Sequence, residues 1–198
     1  ARIAEDLNSL AFGTYSVVIN DLSTGCVAAL SVDVNQPDVL TINSVASDLT
    51  CYQDSSGSID LSITGGTQPY LYDWDNDGVG DNDDAEDLSG LLVGGYNVMV
   101  TDSNLCSQSA PFNLIEPTEI TLSALLTSNS CFNDALGSID VTPNGGTPAY
   151  TYEWSNSLGQ VIGFNEDLLN LAADIYSFTI TDDSSCTKDS SFTIISPS

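Results

Sequence analysis

The sequence predicts an all-β chain built from tandem two-sheet sandwiches. Three observations carry that expectation: an internal repeat with a period of eighty residues, a period-two alternation of apolar and polar residues within it, and Gly-Gly turn signals at matching places. The segment GSIDLSITGGTQPYLYDW beginning at Gly57 returns as GSIDVTPNGGTPAYTYEW beginning at Gly137. The same offset carries Cys51 to Cys131, Trp74 to Trp154, Asp87 to Asp167, Tyr96 to Tyr176, Asp102 to Asp182 and Cys106 to Cys186.

The first residues hold part of a third copy. EDLNSLAFGTYSVVIND from Glu5 aligns with EDLSGLLVGGYNVMVTD from Glu86, and Cys26 falls eighty residues before Cys106. The predicted organisation is therefore the back half of a repeat over residues 1–36, a complete repeat over 37–116 and another over 117–198, with boundaries at QPDVLTI and EPTEITL. A fixed period with almost no linker points to end-to-end stacking. The half copy and the lack of an initiator Met read as an excerpt from a longer chain.

Each repeat resolves into short strands. Ile59, Leu61 and Ile63 alternate with Asp60, Ser62 and Thr64; Tyr96, Val98 and Val100 alternate with Asn97, Met99 and Thr101; Phe112 and Leu114 continue the pattern. Gly65-Gly66 and Gly145-Gly146 mark turns, as does Asp102-Ser103-Asn104, and no amphipathic helix is found. About seven short strands per repeat, a Trp in an early strand and a Tyr opening a late one fit an immunoglobulin-like sandwich. The run LLVGGY ending at Tyr96 resembles a tyrosine corner, which places that hydroxyl against the preceding turn.

Composition narrows the function. Of 198 residues 41% are hydrophobic, enough for real cores, while 28 acids face only Arg2 and Lys188 for a net charge of −26. Such a surface repels phosphate backbones and anionic lipid, so no nucleic-acid partner is expected. No apolar run approaches the roughly 20 residues of a membrane-spanning helix, so no direct membrane insertion is expected either. There is no His to serve as a catalytic base, and the carboxylates show no sign of an apolar cleft, so no enzymatic activity is expected. The aromatics Tyr70, Tyr72, Trp74, Tyr150, Tyr152 and Trp154 could line a sugar-binding face, but their period-two spacing favours core packing.

One loop stands out chemically. From Asp73 to Asp87 eight carboxylates fall within fifteen residues without a base. Counted from Asp73, carboxylates stand at positions 1, 3 and 5 (Asp73, Asp75, Asp77), a glycine at 6, the Val79 carbonyl at 7, and Asp81 and Asp84 at 9 and 12. That spacing suits calcium, which takes many oxygens at once, better than magnesium; the competing reading is a solvated acidic loop. The corresponding EWSNSLGQVIGFNED from Glu153 loses nearly every ligand, so calcium would pin one loop of a scaffold and not act as a signal. Asp54, Asp60, Asp102 and Asp182 recur in register and read as turn formers or outward strand residues.

Five cysteines at repeat spacing, with no CxxC and no His, point to disulfides. The favoured pairing is within repeats, Cys51 with Cys106 and Cys131 with Cys186. A sandwich topology argues against it, because the two would lie at opposite ends while bonded Cα atoms lie within about 7 Å. The alternative joins Cys51 to Cys186 across the repeat junction.

Taken together, C-x5-G-S-I-D, the G-G-T turn with its Y-x-Y-x-W strand, D-L-x-x-L-x-x-G-x-Y and a closing Cys resemble the SprB repeat of Bacteroidetes gliding-motility adhesins. Here the pattern is carried by Cys51, Gly57, Ile59, Gly65, Gly66, Pro69, Tyr70, Tyr72, Trp74, Asp87, Leu88, Gly95, Tyr96, Asp102 and Cys106, while Ala173-Asp174-Ile175 departs from the Gly94-Gly95 step. The resemblance implies an extracellular bacterial cell-surface filament, outer-membrane associated and exported by type IX secretion. Its partners would be neighbouring repeats, an external surface or polysaccharide, and the envelope motility machinery. The competing readings are a carbohydrate- or protein-binding module and an accessory region of a larger secreted enzyme.

Overall fold

The computed structural model describes residues 7–74 and 84–197. Among them every regular element is a strand, and no helix is long and apolar enough to cross a membrane. The chain opens with a hairpin, β1 (Gly13–Asn20) and β2 (Val27–Val34). The first sandwich follows with β3 (Thr41–Ser47), β4 (Gly57–Thr64), β5 (Leu71–Trp74), β6 (Leu88–Leu91), β7 (Gly94–Thr101) and β8 (Ser107–Leu114). The second comprises β9 (Thr121–Thr127), β10 (Gly137–Asn144), β11 (Tyr150–Ser155), β12 (Val161–Gly163), β13 (Leu168–Leu171), β14 (Asp174–Asp182) and β15 (Thr187–Ile194).

Both sandwiches have the two-sheet immunoglobulin-like arrangement. One sheet is ordered β3-β4-β6, the other β5-β7-β8; their counterparts are β9-β10-β13 and β12-β11-β14-β15, and all pairings are antiparallel. The alternation of β-branched and polar residues sends one face of each sheet inward. Ile59, Leu61, Trp74, Leu91, Val98, Val100 and Leu114 form the first core; Ile139, Val141, Trp154, Phe178, Ile180 and Ile194 form most of the second. Trp74 and Trp154 are fully buried, and each indole N–H donates to a carbonyl beyond the next loop, Ala85 at 3.0 Å and Asn165 at 2.9 Å. These rings are core, not a sugar-binding platform.

Two glycine positions fix how the chain enters each sandwich. Gly65 and Gly145 sit at φ +72° and +84°, and a Cβ on either would lie 2.0 Å from the Val39 or Glu119 carbonyl oxygen. Only glycine fits there. The tyrosine corner forms in all three copies: the hydroxyls of Tyr15, Tyr96 and Tyr176 each donate at 3.0 Å to the carbonyl four residues back, on Ala11, Leu92 and Ala172.

The opening hairpin corresponds to β7–β8, and among the described residues no opposing sheet packs on it. Val17 and Ile19 are 49% and 64% exposed, where Val98 and Val100 of the complete sandwich are fully buried.

Candidate functional site

Two features are candidates: the acidic loop and the junction between sandwiches. At the loop, β5 delivers Asp73, half-buried and opposite Met99, and the described chain resumes at Asp84. Asp75, Asp77, Val79 and Asp81 lie outside the described residues. The two ends are tied to one strand terminus, because the Trp74 amide donates to Asp84 Oδ2 at 2.6 Å and the Asp84 amide donates to the Tyr72 carbonyl at 3.3 Å. Burial and a hydrogen bond to Glu86 push the neighbouring Tyr72 hydroxyl up to about 12. Tyr152 shifts the same way beside Glu166, its burial again the larger cause. Among the described residues no group of three or more His, Cys, Asp or Glu is placed to hold a metal.

At the junction the structure overturns the favoured cysteine pairing. Cys51 is bonded to Cys186, with Cα atoms 5.6 Å apart, while Cys106 and Cys131 are free and exposed. The pairs Cys51–Cys106 and Cys131–Cys186 fail for a topological reason. Cys51 follows β3, at the end where the Leu49 amide donates to Ile115 beyond β8. Cys106 lies at the other end, in the β7–β8 turn where Thr101 opposes Ser107. Eight-residue strands separate them, about 27 Å at 3.4 Å per residue.

Each bonded cysteine is positioned by an aspartate-centred turn. Asp182, only 5% exposed, accepts the amides of Ser184 and Cys186 on Oδ1 at 3.0 and 2.8 Å and that of Thr147 on Oδ2 at 2.8 Å. Its own amide donates back to the Cys186 carbonyl at 2.9 Å, and Ser185 completes the turn at φ +67°. On the other side, Asp54 Oδ2 accepts the Cys51 amide at 3.0 Å, Asp54 Oδ1 accepts from the Ser56 amide and hydroxyl, and Gln53 at φ +55° donates its amide to Glu116 at 2.7 Å. Desolvation works to raise the Asp54 carboxyl, but the hydrogen bonds from Ser56 and Cys51 outweigh it and hold it below its ordinary value.

Asp102 repeats the arrangement of Asp182. Its carboxyl is lowered chiefly by the Cys106 amide, against the cost of burial, with the Thr67 and Asn104 amides adding to the effect. These aspartates act as turn formers. Lys188 bridges to Glu119 at 2.8 Å beside the junction, with both side chains nearly half exposed, which makes it worth little on its own. Sequence reasoning missed Lys188, Glu119 and Tyr52, which lines the junction cleft with them. The isolation of Lys188 in so acidic a chain was the available signal.

The SprB repeat matches at residues 43–79 and 123–159. The chain carries two SprB repeats. Each SprB match begins inside the first strand of a sandwich (β3, β9) and runs through the Trp strand, so the matched halves contain Cys51 and Cys131 and the unmatched halves Cys106 and Cys186. No curated protein matches the chain. Solved structures similar to it include an amphioxus IgVJ-C2 molecule, 17% identical over 73% of this chain and 98% of that one, TM-score 0.34. The N-terminal eight Ig domains of Down Syndrome Cell Adhesion Molecule are 13% identical over 92% of this chain and 26% of that one, TM-score 0.39. Murine CEACAM1b is 13% identical over 80% of this chain and all of that one, TM-score 0.31.

Proposed function

We propose that these SprB repeats form a non-enzymatic stalk segment of a bacterial cell-surface adhesin, one that extends the molecule, presents adhesive surface and transmits force. The observation carrying this reading is the covalent bond between Cys51 of one repeat and Cys186 of the next. A short linker lets two domains bend about each other, whereas a second connection beside it restricts that bending and lets tension pass through two strands of covalent structure. A disulfide also suits an oxidising, extracellular location. The acidic surface keeps such a chain soluble and self-repelling. Type IX export and an envelope motor enter by family likeness alone.

Calcium belongs to the same proposal in a local role. Asp73, Asp75, Asp77, Asp81 and Asp84 with the Val79 carbonyl would hold it, hard oxygens for a hard cation. Asp84 already engages the Trp74 amide through one oxygen, so an ion there would stiffen the loop at its base.

Solution scattering of the intact chain tests the stalk reading. An extended, rigid profile that becomes more flexible on reduction supports it. A compact or freely hinged profile under oxidising conditions contradicts it, and selective glycan-array binding by this chain would favour a ligand-binding module instead.

A further inference from the structure

We infer that the first cysteine of each repeat bonds the second cysteine of the repeat that follows it, so that the Cys131–Phe132 loop and the cleft beside Cys106 are the two open halves of further junctions. This rests on the observed junction and holds whether or not the chain serves as a stalk.

The open halves are built like the closed one. In the Cys51 loop the Asp54 amide donates to the Cys51 carbonyl at 3.3 Å with Gln53 at φ +55°; in the Cys131 loop the Asp134 amide donates to the Cys131 carbonyl at 3.3 Å with Asn133 at φ +60°. On the receiving side Cys186 and Cys106 each donate their amide at 2.8 Å to the aspartate four residues earlier, after a residue at φ +67° or +66°. Both thiol positions are preset before any partner arrives.

The receiving clefts also correspond. The closed one is lined by Thr118, Glu119, Ile120, Gly146 and Asp182 and is capped by Cys51 and Tyr52 of the preceding repeat. The cleft beside Cys106 is lined by Asp38, Val39, Leu40, Gly66 and Asp102, the same positions eighty residues earlier; of the preceding copy only its last residue, Gln36, reaches it, and among the described residues no Cys-aromatic loop caps it. Its occupant is a Cys-aromatic-x-Asp loop, the motif CYQD at Cys51 and CFND at Cys131. Phe132 is 70% exposed where its counterpart Tyr52, seated at the junction, is 40% exposed.

The bond forms by two thiol–disulfide exchanges with a small disulfide such as oxidised glutathione. The Cys131 thiolate attacks it and releases one glutathione thiolate; the incoming second cysteine, deprotonated, attacks the mixed disulfide and releases the other. Two protein thiols are oxidised and one glutathione disulfide is reduced.

The test replaces Pro197-Ser198 of the chain with another copy of residues 117–198, so that the new Pro117 takes the place of Pro197 and the period of eighty continues, and oxidises the product in a glutathione buffer. Because the new partner is tethered nearby, iodoacetamide labelling of Cys131 falls about tenfold or more relative to the unextended chain. Non-reduced peptide mapping finds Cys131 bonded to the second cysteine of the added copy, and Phe132→Asp slows bond formation while the Cys51–Cys186 bond still forms. Cys131 that stays fully alkylatable, or that bonds the first cysteine of the added copy, overturns the inference. Loss of Cys51–Cys186 in the extended chain would signal misfolding, and the unextended chain with Phe132→Asp then decides: under the same buffer its cross-copy Cys131–Cys106 bonds must form more slowly than in the native chain, and equal rates overturn the inference.

Discussion

The two complete repeats are the same sandwich with different connections between the Trp strand and the next sheet. In the second, the connection folds into β12, and Asn156 organises it by accepting the amides of Leu158 and Gln160 at 3.1 and 3.0 Å. In the first, that region is the acidic stretch, whose ends Asp84 and Ala85 return to the Trp74 amide and indole. What both copies keep is the frame: the buried Trp, the tyrosine corner, the Gly-Gly turn and the aspartate that shapes the second-cysteine turn. What they vary is a loop outside it, so the acidic stretch is a local elaboration and the shared turns at the two ends define the repeat.

The cores also differ. Around Trp154 lie Phe178 at 4.4 Å and Phe192 at 5.7 Å between ring centroids, whereas Trp74 has Phe112 at 5.8 Å and Val98 where Phe178 stands. Removing the ring should expose that contrast most strongly. Trp74→Ala and Trp154→Ala should each cost about 3–5 kcal/mol, the second more, with chemical denaturation showing one repeat destabilised and the other retained. Equal losses would mean that the extra aromatic contacts contribute nothing.

Next in size is the turn aspartate. Asp182→Ala leaves three amides without their acceptor at a site 5% exposed, an expected loss of about 3 kcal/mol. Disulfide formation at Cys186 should slow in parallel, read by free-thiol titration during oxidative refolding. A smaller effect separates the repeats again: calcium at a hundredfold excess over its Kd would stabilise the first by about 2.7 kcal/mol, seen as a rise in that repeat's Tm that chelator removes. Replacing residues 75–83 with the connection of the second repeat should abolish the shift.

The mildest effect is on pH. Asp54 and Asp102 titrate below their ordinary value of 3.8 in the folded chain, so what they add to stability is complete above that pH and fades as pH falls through their folded values. A chain with net charge −26 also relieves self-repulsion as other carboxylates protonate. Thermal melts should therefore show stability rising from pH 7 toward about 4.5 and falling below about 3.5; a monotonic fall from pH 7 would contradict this assignment.

Much of this was legible in the sequence, because strands with one buried face write their period into it and a turn that admits only glycine names itself. That the Tyr96 hydroxyl folds back against the preceding turn could be read from LLVGGY; its partner, the Leu92 carbonyl, came with the structure. Cysteine connectivity could not, since repeat spacing gives intra-repeat and junctional partners the same register, and only the ends at which Cys51 and Cys106 emerge separate them. Asn129 was equally hidden. It stands where Leu49 does, buried, with its side chain accepting from Leu136 and donating to Leu171, and nothing local marks a polar residue that a sandwich end will satisfy.

The repeats are bonded to each other and not within themselves. Mass-spectrometric mapping of non-reduced peptides from the native chain tests this most directly. A Cys51–Cys186 linked pair with Cys106 and Cys131 open to alkylation is expected; Cys51–Cys106 and Cys131–Cys186 linked pairs would overturn the junctional bond.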